Sequence, residues 1–148
     1  MKTVSFTSVL LFATCLSLSA GSAEEKAFTD KYKKAFEAKD TATLESFLYT
    51  QGSDPTIVGF YQMMLTSEAG GKISKIELLA LTPEETTKAA GSQESPGGGK
   101  VCLPLKPTKK LVIEVTTKDG DSSSSSSSTS FIAEKDGKFV IPVPGPCK

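Results

Sequence analysis

The chain has 148 residues, and its 17 lysines balance its 17 acidic residues, so the formal net charge is +0. It contains no arginine, histidine or tryptophan. Without histidine, Ser-His-Asp or Cys-His catalysis and imidazole-bound metal sites are excluded. Without arginine or a positive net charge, the sequence argues against nucleic-acid binding. With 38% hydrophobic and 23% charged residues, the composition is typical of a globular domain.

Residues 1–23 have the pattern of a secretory signal peptide. Lys2 carries the N-terminal charge, residues 4–18 form an apolar run that is short for a membrane span, and Ala20 to Ala23 are small. We predict cleavage after Ala23, a periplasmic or extracellular protein, and a mature chain without a transmembrane segment. Two alternatives stay open, namely a lipobox that would lipidate Cys15 and an N-terminal anchor that is never cleaved.

Residues 24–148 have a length that suits one domain. Two cysteines remain there, Cys102 and Cys147, and an even pair in an oxidising compartment predicts a disulfide. That bond would fasten the proline-rich C-terminal tail to the strand that carries Cys102, and it would contribute about 3–4 kcal/mol in the chain-entropy model. Free or intermolecular thiols are the alternative.

The first half of the mature chain predicts three amphipathic helices. Asp40 is a candidate N-cap of the second helix. Asp54-Pro55 indicates the start of the third, and Gly70-Gly71 its end. Apolar residues three or four positions apart share one face of a helix. The expected core positions are Phe28, Tyr32, Ala35 and Phe36, then Leu44, Phe47 and Leu48, then Ile57, Phe60, Tyr61, Met64 and Leu65.

The second half predicts an antiparallel sheet. Thr82 to Glu85 fits a capping box that opens a short helix ending near Gly91, and residues 92–99 form a glycine-rich loop. Asp119-Gly120 and Asp136-Gly137 are signals for two-residue hairpin turns. Helices followed by such a meander predict an α+β domain with the helices on one sheet face. The expected strands are residues 72–81, 101–105, 110–117 and 139–143.

Ser122 to Ser128 is a run of seven serines, followed by Thr129 and Ser130. Its composition allows a flexible linker, but its place between two hairpin turns favours a strand. A turn at Asp119-Gly120 would pair Lys118 with Asp121 and Val115 with Ser124. Because side chains alternate along a strand, the even-numbered serines would then share a face with the apolar residues of both neighbouring strands. The apolar residues of that face are Leu111, Ile113, Val115, Ile132, Phe139, Ile141 and Val143.

Small hydroxyl side chains between apolar strands leave room beneath the helices, which predicts a concave, partly polar pocket. Filling of that space by tyrosine side chains is the alternative. The candidate lining residues are Tyr32, Tyr61, Ser124, Ser126, Ser128 and Ser130. The sequence carries no motif for a catalytic site, a cofactor or a metal; in particular, Gly97 to Lys100 lacks the spacing of a phosphate loop.

Phe28 to Asp40, with Leu44 and Phe47-Leu48 after it, resembles the opening of nuclear-transport-factor-2-like domains, also called cystatin-like. Ala133 to Ile141 is similar to the final hairpin of many members. The resemblance implies a cone in which a curved sheet wraps around helices, often with a central pocket and often as a homodimer. Enzymes of the family use His, Asp or Tyr in that pocket, and no catalytic residue can be transferred to this sequence.

These observations predict an exported, noncatalytic domain of bacterial type that binds a small molecule or a partner and uses no cofactor. One alternative is an enzyme of the isomerase or dehydratase kind, with a pocket carboxylate as base and a tyrosine as hydrogen-bond donor. Another is a dimeric structural or partner-binding domain.

Overall fold

A computed structural model describes residues 20–95 and 97–147. Most of the predicted signal peptide, with Cys15, lies outside these residues. The helices are α1 (Ala20–Glu37), α2 (Thr41–Glu45), α3 (Pro55–Ser67) and α4 (Pro83–Ala90). The strands are β1 (Leu48–Tyr49), β2 (Lys72–Ala80), β3 (Gln93–Glu94), β4 (Lys100–Cys102), β5 (Lys109–Asp119), β6 (Ser122–Lys135), β7 (Lys138–Pro142) and β8 (Gly145–Pro146).

Two sheets accompany the helices. The larger is an open, curved sheet in the order β1-β7-β6-β5-β2, in which β1 runs parallel to β7 and the other pairs are antiparallel. The smaller has the order β3-β4-β8. The predicted α+β class is therefore confirmed. Among residues 20–95 and 97–147, no helix is both long and apolar enough to cross a membrane.

Helix α1 lies at the centre of the core. Its predicted apolar face, Phe28, Tyr32, Ala35 and Phe36, is buried and packs against the larger sheet. The apolar face predicted from the three- and four-residue spacing is therefore the face that the structure buries. The helix begins at Ala20, so the predicted cleavage site after Ala23 falls in its first turn.

The predicted helix starts are confirmed by their hydrogen bonds. The Asp40 carboxylate accepts from the Thr43 backbone N–H at 3.1 Å, and the Asp54 carboxylate caps α3 in the same way. In α4, Thr82 and Glu85 form the reciprocal capping box. These side chains satisfy backbone donors that have no partner inside a helix.

Two helix predictions need correction. Phe47 and Leu48 follow α2 instead of lying in it, because α2 ends at Glu45 and the chain continues into β1. On α3, Ile57 and Leu65 are buried, but Phe60 and Met64 are 42% and 49% exposed. The buried stripe of α3 is narrower than predicted because no element within residues 20–95 and 97–147 covers its outer flank.

Two strand predictions also differ from the structure. The strand expected over residues 101–105 ends at Cys102, where Pro104 follows and cannot donate to a ladder. The loop expected over residues 92–99 contains strand β3, whose Gln93 and Glu94 pair with β4. Pro96 lies outside the described residues.

The serine run forms an ordered strand, as favoured from its position. Asp119 pairs with Ser122, so the turn residues are Gly120 and Asp121 rather than Asp119 and Gly120. Gly120 has a φ of 61°, which suits the first position of a type II′ turn. The register differs from the predicted one by two residues, so each side chain keeps its face and the predicted sharing of faces is confirmed.

The second hairpin agrees with its prediction. Lys135 pairs with Lys138 across the two turn residues Asp136 and Gly137. Their φ angles of 52° and 72° are both positive, as a type I′ turn requires.

The C-terminal tail is held to the domain by the predicted disulfide. Cys102 and Cys147 are bonded, with 4.9 Å between their Cα atoms, and β8 pairs with β4. The Ser53 hydroxyl donates to the Val143 carbonyl oxygen at 2.7 Å, and Val143 is fully buried. The tail is thus an integral part of a second, smaller core.

Candidate functional site

A small cavity lies between α1, the C-terminal end of α3 and strands β5 and β6. Its volume is about 190 Å³. Both helices and both strands contribute lining residues, so the cavity forms where segments distant in the sequence pack together. We call it the Tyr32 cavity. Its lining residues are Tyr32, Phe36, Met64, Leu65, Ser67, Glu68, Ile113, Ser128, Thr129 and Ser130.

Tyr32 supplies the most deeply buried polar group of the cavity. The residue is only 3% exposed. Its hydroxyl makes no hydrogen bond with another described residue. Every fully enclosed side-chain oxygen or nitrogen in the described part of the chain has a hydrogen-bond partner. The Tyr32 hydroxyl is therefore not fully enclosed, and the space that this residue borders is the cavity.

The protonation state of Tyr32 follows from its surroundings. Burial raises the pKa of its hydroxyl, and the negative charge of Glu68 raises that pKa further. Both causes disfavour the phenolate. Tyr32 therefore stays protonated at physiological pH and offers one O–H donor to the cavity.

Glu68 lies at the cavity's mouth, directly after the last residue of α3. Its side chain is exposed, and its charge acts on the Tyr32 hydroxyl. Beside it, the Ser67 hydroxyl donates to the Met64 carbonyl oxygen at 3.2 Å and is thereby occupied. Glu68 thus places one negative charge at the mouth, whereas the inner wall formed by Phe36, Leu65 and Ile113 is apolar.

The structure brings together three of the six predicted lining residues. Tyr32, Ser128 and Ser130 border the cavity. Ser124 and Ser126 lie farther out on β6 and are exposed, because the helices cover only the inner half of the β5–β6 hairpin. Tyr61 is half-buried and packs between the two cores, where burial raises its pKa.

Glu68, Ser67, Met64 and Leu65 also line the cavity, and no sequence pattern marked them as lining residues. Leu65 was expected in the core, where it lies, and its contact with the cavity depends on the position of α3. Glu68 follows the helix as an ordinary polar residue. No sequence pattern linked it to Tyr32, since that proximity arises from the packing of α3 against α1.

Two larger, open grooves flank the domain. One, of about 690 Å³, adjoins the mouth through Ser67 and Glu68, and its rim carries Lys39, Lys72 and Lys118. The other, of about 500 Å³, lies between α1 and the β6–β7 turn. Phe28, Phe47 and Phe139 line it, and the Lys31 ammonium lies 5.4 Å from the Phe47 ring centre.

Within the described ranges, no three His, Cys, Asp or Glu side chains are grouped so that they could hold a metal ion. Comparison of the chain with protein-family models, with curated proteins and with solved structures found no match.

Proposed function

We propose that this domain binds a small organic molecule in the Tyr32 cavity without transforming it. The observation that carries the proposal is Tyr32, a buried side chain that borders the cavity and whose protonated hydroxyl has no partner among the described residues. Because the hydroxyl is not fully enclosed, water can serve as its partner in the unbound protein. A ligand that accepts a hydrogen bond from Tyr32 would displace that water and keep the hydrogen bond, while its own apolar part leaves the solvent.

The size of the cavity limits the ligand. A volume of about 190 Å³ is less than the roughly 300–1,000 Å³ of common ligand sites and corresponds to about six water molecules. The inner wall favours a short apolar chain or ring. The ligand class is therefore a molecule of a few heavy atoms with an apolar body and one hydrogen-bond acceptor.

Glu68 adds a preference for charge. Its carboxylate at the mouth repels an anionic ligand and attracts a cationic one. A neutral alcohol should therefore bind better than a carboxylate of the same carbon skeleton. A protonated amine has no lone pair for the Tyr32 hydroxyl to donate to, so only its attraction to Glu68 favours it over the acid. Replacing Glu68 by glutamine should reduce the preference for amine over acid.

The experiment is a titration with 1-butanol, butylamine and butyrate, followed by the NMR signals of the Leu65 and Ile113 methyl groups. We expect saturable shifts with the alcohol, and weaker binding of the protonated amine, which cannot accept the Tyr32 hydrogen bond. Tyr32→Phe keeps the ring and removes the donor, so affinity for the alcohol should fall about two- to tenfold. Tyr49→Phe is the matched control, because the Tyr49 hydroxyl is bonded to Gln51 on the surface.

Equal affinities of the Tyr32→Phe and Tyr49→Phe proteins would contradict the role of the Tyr32 hydroxyl. Absence of methyl shifts with all three probes would contradict the binding function itself. Thermal unfolding of both variants would show that each remains folded.

An isomerase- or dehydratase-like enzyme would need a buried carboxylate beside a tyrosine. Glu68 is the carboxylate next to Tyr32, and its side chain is exposed. A solvated carboxylate at the mouth can select a ligand by charge, which is why binding is proposed rather than catalysis.

We also infer that the protein is exported and is a nuclear-transport-factor-2-like domain. The signal-peptide pattern and the disulfide support export. A curved sheet against α1, with a cavity between them, supports the family. Mass spectrometry of the secreted protein should find Glu24 as the first residue. A protein retained in the cytoplasm with its first residues intact would contradict export.

A further inference from the structure

The outer half of strand β6 has one edge without a strand neighbour. On one side, β5 pairs with β6 from Ser122 to Ile132. On the other side, the pairs with β7 begin only at Ala133. Within the described residues, Ser122–Ser130 therefore presents a row of backbone N–H and C=O groups to solvent, and its side chains are exposed through Thr129.

This edge lacks the features that usually protect a strand edge. Natural sheets place lysine, proline, a bulge or a covering loop at such positions. Residues 122–133 contain no charged residue and no proline, and the pairing of β5 with β6 has no register shift. A straight, uncharged edge of this kind is open to pairing with another strand.

An exposed apolar side chain lies beside the serine strand. Met64, on the outer flank of α3, is 49% exposed. It borders the same cavity as Ser128 and Ser130, so it lies close to this part of β6. A partner strand that extends the sheet past β6 would lie near Met64 and could cover it.

We propose that the free edge of β6 pairs with the same edge of a second copy of this chain, antiparallel about a two-fold axis near Ser126. The edge is self-complementary in three respects. It is uncharged, so two copies do not repel each other; its small side chains allow close approach; and an antiparallel pair of identical strands satisfies two-fold symmetry.

The expected strength follows from the size of the edge. Nine residues span about 30 Å, and alternate residues on each copy would give roughly eight to ten hydrogen bonds. An edge of that length buries about 300 Å² per copy, which is less than the roughly 800 Å² of a standard interface. Met64 supplies further apolar area. The dimer should therefore be weak, with a dissociation constant in the micromolar range or above.

Sedimentation of the purified, disulfide-bonded protein over a range of concentrations tests the proposal. We expect a monomer–dimer equilibrium, together with slower amide hydrogen exchange in Ser122–Ser130 as concentration rises. Ser126→Lys places two like charges near the two-fold axis, so it should weaken dimerisation at least about tenfold. Thr117→Lys is the matched control, because Thr117 is exposed on the neighbouring strand β5 and does not lie on the free edge of β6.

Three results would overturn the proposal. The first is a parent protein that remains monomeric at millimolar concentration. The second is a dimer that Ser126→Lys and Thr117→Lys weaken equally, since the interface would then lie elsewhere. The third is protection of the Ser122–Ser130 amides only when an extended peptide is added, which would assign the edge to a different partner. Thermal unfolding of both variants would establish that they are folded.

Discussion

Loss of the Cys102–Cys147 disulfide should lower the free energy of unfolding without undocking the tail from the native state. The double variant Cys102→Ser with Cys147→Ser removes the bond. The two cysteines are 45 residues apart, and closing a loop of that length stabilises the folded protein by about 4 kcal/mol at 25 °C in the chain-entropy model. That is a large share of the 5–15 kcal/mol or so that is usual for a domain.

The tail has other attachments, so the effect should arise mainly in the unfolded chain. The Ser53 hydroxyl bonds the Val143 carbonyl at 2.7 Å, and the buried Val143 side chain packs with Ile57 and Val101. These contacts do not depend on the sulfur atoms. The backbone amide of Val143, which donates to the Tyr49 carbonyl, should therefore remain protected from hydrogen exchange in the variant.

Urea unfolding of the oxidised parent, the reduced parent and the double variant measures the effect. With a typical slope of about 1.5 kcal/mol per molar urea, the midpoint should fall by about 2–3 M. The reduced parent and the double variant should agree, which controls for the side-chain replacement. A loss below about 1 kcal/mol would refute the entropic argument, and rapid exchange of the Val143 amide would refute the docked tail.

Two further pairs of variants test the tail and a helix end. Gly145→Ala should destabilise the protein and loosen the tail, because an added Cβ would overlap a backbone carbonyl of the loop before α3. Gly59→Ala is the control, because an added Cβ at this position of α3 meets open space. This variant should stabilise the protein by up to about 1 kcal/mol. Calorimetric melting would compare the two, and equal effects would contradict the overlap. A hydrogen bond from Lys110, at 2.6 Å, is the main cause that lowers the pKa of Glu85. A lowered folded-state pKa contributes stability that is present above the unfolded-state pKa and is lost as pH falls through the folded-state value. In melting curves between pH 7 and pH 3, Glu85→Gln should therefore lose part of the pH dependence of stability, whereas Glu84→Gln should keep it.

Local signals in the sequence were sufficient for much of the fold. Asp40, Asp54 and the Thr82–Glu85 pair begin their helices because a side-chain oxygen next to a free N–H is enough to cap. Asp136-Gly137 specified its turn for a similarly local reason, since both residues accept a positive φ. The disulfide followed from an even number of cysteines after the signal peptide.

Properties that depend on distant packing could not be predicted in the same way. A run of identical serines holds no information on its register, so the turn position at Gly120 had to come from the structure. The alternation of side chains along the strand assigned the even-numbered serines to the helix side of the sheet. It could not show that the helices leave Ser124 and Ser126 uncovered. The proximity of Glu68 to Tyr32 depends on how α3 packs against α1, which neither segment encodes alone.

A crystal structure of the protein grown with 1-butanol would test the binding site most directly. The account predicts the alcohol in the cavity between α1 and β6, with its oxygen about 2.7–2.8 Å from the Tyr32 hydroxyl oxygen. A cavity filled by the Met64 side chain, or a Tyr32 hydroxyl bonded to a serine of β6 with no alcohol present, would contradict it.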